Sequence, residues 1–118
     1  MITEEHNIQS QCVSWYKLNY TSGIIFSVPN AGKRTLAALN WLKQEGMCIG
    51  APDLIVIQPV TMKVLFIEFK TDKGKQSPAQ KEFQKKCDNL DTNLYYVCRS
   101  LDEFIDIIES GKSEIDKL

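Results

Sequence analysis

The chain has 118 residues, of which 43% are hydrophobic, 25% charged and 9% aromatic, with a formal net charge of −1 at pH 7. These are the proportions of one ordinary globular domain spanning 1–118; they exclude a disordered chain, a collagen-like repeat and a coiled-coil rod. No apolar run approaches the ~20 residues of a membrane span, and the charged start Met1–Asn7 is unlike a secretory signal, so a cytoplasmic protein with no membrane contact is expected.

In chain order, Thr3 can cap a first helix whose apolar positions Ile8, Cys12, Trp15, Tyr16 and Leu18 recur at helical spacing until the Thr21-Ser22-Gly23 turn. Ile24–Val28 reads as a short strand and Pro29-Asn30-Ala31-Gly32 as a turn. Arg34–Glu45 then reads as a helix with Leu36, Leu39 and Leu42 on one stripe and Gly46 as its stop. Past the breaker Gly50-Ala51-Pro52, Asp53–Gln58 and Lys63–Lys70 are two strands joined by Pro59–Met62, a connection that suits an antiparallel hairpin. Thr71–Gln76 is a polar loop, and Ser77-Pro78 looks like a cap followed by proline at the first helical position, opening a helix to Asn89. Leu94–Cys98 is a strand, Leu101–Ser110 a last amphipathic helix built on Phe104, Ile105 and Ile108, and 111–118 a frayed, flexible tail. The order α-β-α-β-β-α-β-α predicts an α/β fold, a mixed central sheet flanked by helices.

The near-neutral total conceals a gradient. Residues 33–86 hold ten Lys or Arg against five Asp or Glu, a net of +5, whereas residues 87–118 hold three against eight, a net of −5. A basic middle beside an acidic tail suits a domain with one face for a polyanion, although mixed solvated surfaces also divide in this way. Cys12, Cys48, Cys87 and Cys98 form no C-x-x-C pair, and with His6 as the single histidine they make no usual zinc set. Free, buried thiols are the expected state.

Three ionisable residues stand out in Gly50-Ala51-Pro52-Asp53-Leu54 and Phe66-Ile67-Glu68-Phe69-Lys70. Side chains two apart in a strand share a face, so Glu68 and Lys70 project together while Phe69 points the other way. The hairpin sets Asp53 roughly opposite the 68–70 end. Taken singly, each has an ordinary structural use, as a turn residue or half of an ion pair. Taken together, two carboxylates in a half-buried sheet need a cation, and an oxygen-only donor set favours Mg²⁺ or Mn²⁺ over zinc. Lys70 would stabilise developing negative charge or orient a water, which suits attack on a phosphodiester.

Pro52-Asp53 with Glu68-Phe69-Lys70 resembles the signature of the PD-(D/E)XK nuclease superfamily, with its restriction-endonuclease-like core. Four further stretches are similar to its virus-type replication-repair nuclease (VRR-NUC) branch: Glu5-x-x-x-Gln9, Val28-Pro29-Asn30, Gly50–Leu54 and the helix start Gln76-Ser77-Pro78-Ala79-Gln80. The resemblance covers roughly residues 4–109. It implies a metal held by Asp53, Glu68 and the carbonyl of Phe69, a catalytic Lys70, and support from Gln80 and Glu5. It also implies hydrolysis of DNA to 5′-phosphate ends, in branched or replication-repair structures such as four-way junctions, and an origin in a phage or other mobile element.

Glu5 and Gln9 lie one helical turn apart and can share a face towards the metal, with Glu4 the alternative to Glu5. Asn30 can simply serve its turn and Lys33 and Arg34 decorate a helix start, but contact with phosphate is the preferred expectation for them, since cations at a helix start oppose its dipole and invite an anion. Lys73, Lys75, Lys81 and Lys85, with Lys86 beside them, would extend that track or simply form a solvated face. Tyr16 and Trp41 have no evident core role and suggest a homodimer, which would also supply the two cuts that a four-way junction needs. The reading from another class is a DNA-junction-binding module that keeps the fold without turnover.

Overall fold

A computed structural model describes residues 3–29, 34–90 and 94–116, with side chains through Ser110. The elements are α1 (Glu4–Asn19), β1 (Ile24–Ser27), α2 (Leu36–Gln44), β2 (Leu54–Ile57), β3 (Val64–Phe69), α3 (Pro78–Asn89), β4 (Tyr95–Cys98) and α4 (Leu101–Asp116). The expected sequence of elements is therefore present. One sheet runs in the order β1-β2-β3-β4, antiparallel except for the parallel β3–β4 pair. A parallel pair needs a long crossover, and α3 supplies it.

The alternation along the central strands divides the sheet into two faces. Leu54 and Val56 of β2 and Leu65, Ile67 and Phe69 of β3 pack with Cys12 and Tyr16 of α1, Cys98 of β4, and Phe104 and Ile108 of α4. Cys12 and Tyr16 lie one helical turn apart and are wholly buried, which is why α1 takes this face. Tyr16 is a core residue and not an interface residue, because its ring stacks on Tyr20 and its hydroxyl donates to Gln58 Oε1 at 3.4 Å. Leu18, expected to join the apolar stripe, is 83% exposed. Of the four thiols, Cys12, Cys87 and Cys98 are buried as expected, whereas Cys48 is exposed. On the opposite face Phe66, Phe83 of α3 and Tyr95 form a second, aromatic contact set.

Two elements depart from expectation. The leucine stripe of α2 is only partly covered: no residue of the helix is fully buried, Leu39 and Leu42 are half-buried, and Leu36 and Trp41 are 72% and 66% exposed. Helix α4 continues through Gly111 to Asp116, past the expected stop at Ser110, because one glycine in a helix costs only about 1 kcal/mol. Among the described residues no helix is long and apolar enough to cross a membrane.

Candidate active site

The hairpin register fixes the first two residues. Leu54 pairs with Ile67 across β2–β3, so Asp53, one residue earlier, stands opposite Glu68 on the α3 face. Asp53 is anchored from two sides: its carbonyl accepts from the Val28 N–H at 2.8 Å, and its Oδ2 accepts from the Phe69 N–H at 2.8 Å. Gly50 sets the approach of this segment to α3. It sits at φ +89, and a Cβ there would stand 2.4 Å from both the carbonyl carbon and oxygen of Ala79. Only glycine fits at that contact with the first turn of α3.

That turn contributes Gln80, which is used twice. Ser77 caps the helix by accepting from the Gln80 N–H at 3.2 Å, and Gln80 Oε1 accepts from the Ser77 N–H at 2.8 Å, closing a capping box. With its oxygen so held, the amide nitrogen of Gln80 is aimed at Glu68 and donates to Oε2 at 2.8 Å. A helix cap thereby orients a carboxylate of the sheet.

Glu68 is only 1% exposed. Desolvation above all pushes its carboxyl up to about 8; the charge of Asp53 and a carboxyl–carboxyl hydrogen bond with it act the same way, Lys70 opposes them, and Glu5 adds to the rise. These influences locate the surrounding groups: Asp53, Lys70 and Glu5 all lie near enough to be felt. Glu5 is half-buried and Glu4 exposed, and of the two expected alternatives it is Glu5 whose charge acts on Glu68. Gln9, half-buried, lines a groove of about 560 Å³ between α1 and β1 that reaches Ser27 and Leu54 beside Asp53.

Glu68 Oε1 is buried and finds no hydrogen-bond donor among the described residues. Its neighbour Asp53 is another acceptor, so the pair is satisfied only by a shared proton or by a cation. This orphaned oxygen, in a donor set of carboxylates without His or Cys, fits a small hard cation. Among the described residues no three His, Cys, Asp or Glu gather closely enough to hold a metal by themselves. A site of two carboxylates suits Mg²⁺, which commonly takes one or two and keeps several waters.

The basic residues are arranged less tightly. Arg34, Lys73, Lys75, Lys81, Lys85 and Lys86 are all exposed, the last three on α3, whose first turn carries Gln80. Asn30 and Lys33 lie outside the described residues. Sequence reasoning missed three contributors: Gly50 as a contact point, the capping role of Gln80, and Gln76. Gln76 Nε2 donates to Gln84 Oε1 at 3.0 Å and to the Tyr95 hydroxyl at 3.3 Å, behind Glu68. Burial pushes Tyr95 up to about 12, with the charges of Glu68 and Asp53 adding to the effect. The pattern Ser-x-x-Gln at 77–80 carried the signal for the capping box; nothing local announced the others.

The family model of the VRR-NUC domain matches residues 1–102. A solved structure named VRR_NUC domain protein superposes with a TM-score of 0.72 at 24% identity, covering 92% of this chain and 87% of its own. Another, named VRR_NUC domain, gives 0.64 at 22% identity over 91% of this chain and 96% of its own. No curated protein matches the chain. The fold of these neighbours is the mixed sheet flanked by helices described above, and with the match over residues 1–102 the chain belongs to the VRR-NUC domain family.

Proposed function

We propose that the protein is a metal-dependent DNA endonuclease. The observation that carries this reading is the opposition of Asp53 and Glu68 across the hairpin, with a buried carboxylate oxygen that has no donor among the described residues and Lys70 close by. Asp53, Glu68 and the carbonyl of Phe69 would hold Mg²⁺ or Mn²⁺. When bound, the cation supplies Lewis-acid polarisation of the scissile phosphate.

The chain's own residues do the rest. The Phe69 N–H and the Gln80 amide hold the two carboxylates in place before substrate arrives, so little reorganisation is needed during reaction. Lys70 lends positive charge to the phosphoryl oxygens as water adds to phosphorus and the 3′-oxygen leaves, producing a 5′-phosphate end. Glu5 supports the site from α1. Arg34, Lys73, Lys75, Lys81 and Lys85 provide sequence-independent contacts to the DNA backbone, and Asn30 and Lys33 are assigned to the same track.

A branched or replication-repair substrate is part of the proposal, as is a homodimer. The dimer is supported by α2, whose Leu36 and Trp41 are exposed although the helix is apolar along one stripe. Sedimentation equilibrium at micromolar concentration should give twice the 13.5 kDa chain mass; a mass that stays at 13.5 kDa with and without junction DNA rejects it. For the activity itself, labelled linear, flapped and four-way DNA is incubated with Mg²⁺, Mn²⁺ or chelator. Cleavage that requires the metal and is fastest on a branched substrate supports the reading. Binding of junctions without any cleavage would instead identify a DNA-binding module that keeps the nuclease fold.

A further inference from the structure

The loop that follows Lys70 has no regular structure, yet it is closely held. Gly74 N–H donates to the Thr71 carbonyl at 3.0 Å, and this closes a turn. A Cβ at Gly74 would stand 3.2 Å from Thr71 Oγ1 and 3.4 Å from Lys70 Cβ, so the turn folds back against the stem of the lysine. The loop's carbonyls converge on one group from the other side of the parallel strand pair. Arg99 Nη1 donates to the carbonyls of Thr71, Asp72 and Gly74, the last at 2.8 Å.

Arg99 is itself fixed. It directly follows β4, where Cys98 accepts from the Lys70 N–H at 3.0 Å, and its own N–H donates to Glu103 Oε2 in the first turn of α4 at 3.3 Å. Arg99 therefore joins the end of β4 and, through its backbone N–H, the start of α4 to the turn on Lys70 that its guanidinium holds.

We propose that Arg99 is a positioning residue for Lys70: its clasp on the 71–74 carbonyls holds the turn against the Lys70 stem and so confines the ammonium to the site. A guanidinium suits the task because it is always charged and rigid, and charge-assisted bonds to carbonyls outlast neutral ones. Without it, the carbonyl of half-buried Gly74 loses its charged donor, that of Thr71 keeps only the Gly74 N–H, and the turn opens. The chemical consequence rests on the nuclease reading above; the clasp does not.

The experiment compares full-length wild type, Arg99→Gln and Arg99→Lys in two assays, with circular dichroism melting to verify that the fold persists. Limited trypsin digestion reads the clasp through the bonds after Lys73 and Lys75, whose side chains are exposed in wild type, so any protection comes from loop conformation. Arg99→Gln should be cut there at least tenfold faster than wild type and Arg99→Lys at an intermediate rate. Single-turnover cleavage at saturating DNA reads the consequence: Arg99→Gln should lose at least tenfold in rate beyond any loss of affinity in chelator that the displaced Lys73 and Lys75 cause, and Arg99→Lys should recover part of the rate. Equal trypsin rates would overturn the clasp. A full cleavage rate in Arg99→Gln, or a loss entirely in affinity, would overturn the positioning of Lys70. Wild-type protein inert on every DNA and metal would instead reject the nuclease reading, while the trypsin rates still decide the clasp.

Discussion

Replacing Glu68 by glutamine should make the metal-free protein more stable at neutral pH while ending its activity. In the folded chain the Glu68 carboxyl is pushed up to about 8, from an ordinary value of 4.5, by burial first and by the charge of Asp53 second. A raised acid stabilises the fold below its unfolded-state value, and that contribution is lost as pH rises towards the folded-state value. The window is therefore about pH 4.5 to 8. Its full depth is roughly 5 kcal/mol, of which roughly 3 kcal/mol is already lost at pH 7. Glutamine removes the titration, keeps an oxygen to accept from Gln80 Nε2, and offers Asp53 a donor where Oε1 had none. Urea unfolding in chelator at pH 5, 6, 7 and 8 measures this. Wild-type stability should fall across the series, the variant should stay nearly level, and the two should diverge by about 2–3 kcal/mol at pH 7. Mg²⁺ or Mn²⁺ should restore stability to wild type at pH 8 and do little for the variant. A wild-type profile as level as the variant's would refute the argument that Glu68 is held as an uncompensated buried acid.

Further outcomes follow from the same geometry. Lys70→Met should lower turnover by roughly 10²-fold in single-turnover cleavage while leaving DNA affinity within a few-fold, if the lysine acts as proposed on charge that develops only during reaction. Gly50→Ala should destabilise the fold by on the order of 2–4 kcal/mol in urea unfolding, since the new Cβ meets the Ala79 backbone at 2.4 Å and the residue sits at φ +89. Lys81→Glu combined with Lys85→Glu should weaken binding to all DNA sequences alike and reduce the slope of log affinity against log salt by about 2, measured by fluorescence anisotropy.

Much of this site was legible from local rules. Alternation in Leu54–Ile57 and Val64–Phe69, with a short connection, set Asp53 opposite Glu68, and a one-residue slip would have buried the charges in the core. The helix starts at Thr3 and Ser77 were legible because capping is a contact within four residues. What escaped was non-local. The approach of Gly50 to Ala79, the Gln76–Tyr95 contact and the Arg99 clasp join residues 19 to 29 apart, and no spacing rule encodes them. The stripe of α2 misled for a related reason. Periodicity says that a helix has an apolar face, not that the same chain covers it, and Leu36 and Trp41 lie open. Tyr16 misled in the other direction: it is wholly buried because α1 lies between the sheet and α4, which only the assembled fold reveals.

The central claim is that Asp53 and Glu68 form a cation centre that hydrolyses DNA. Single-turnover cleavage of a labelled four-way junction by wild type and Asp53→Asn, with Mg²⁺ or Mn²⁺ and with chelator, tests it most directly. The account predicts metal-dependent cleavage by wild type, none in chelator, and a loss of at least roughly 10³-fold in Asp53→Asn with junction binding retained. Asp53→Asn cutting at the wild-type rate, or wild type cutting equally well in chelator, would contradict it.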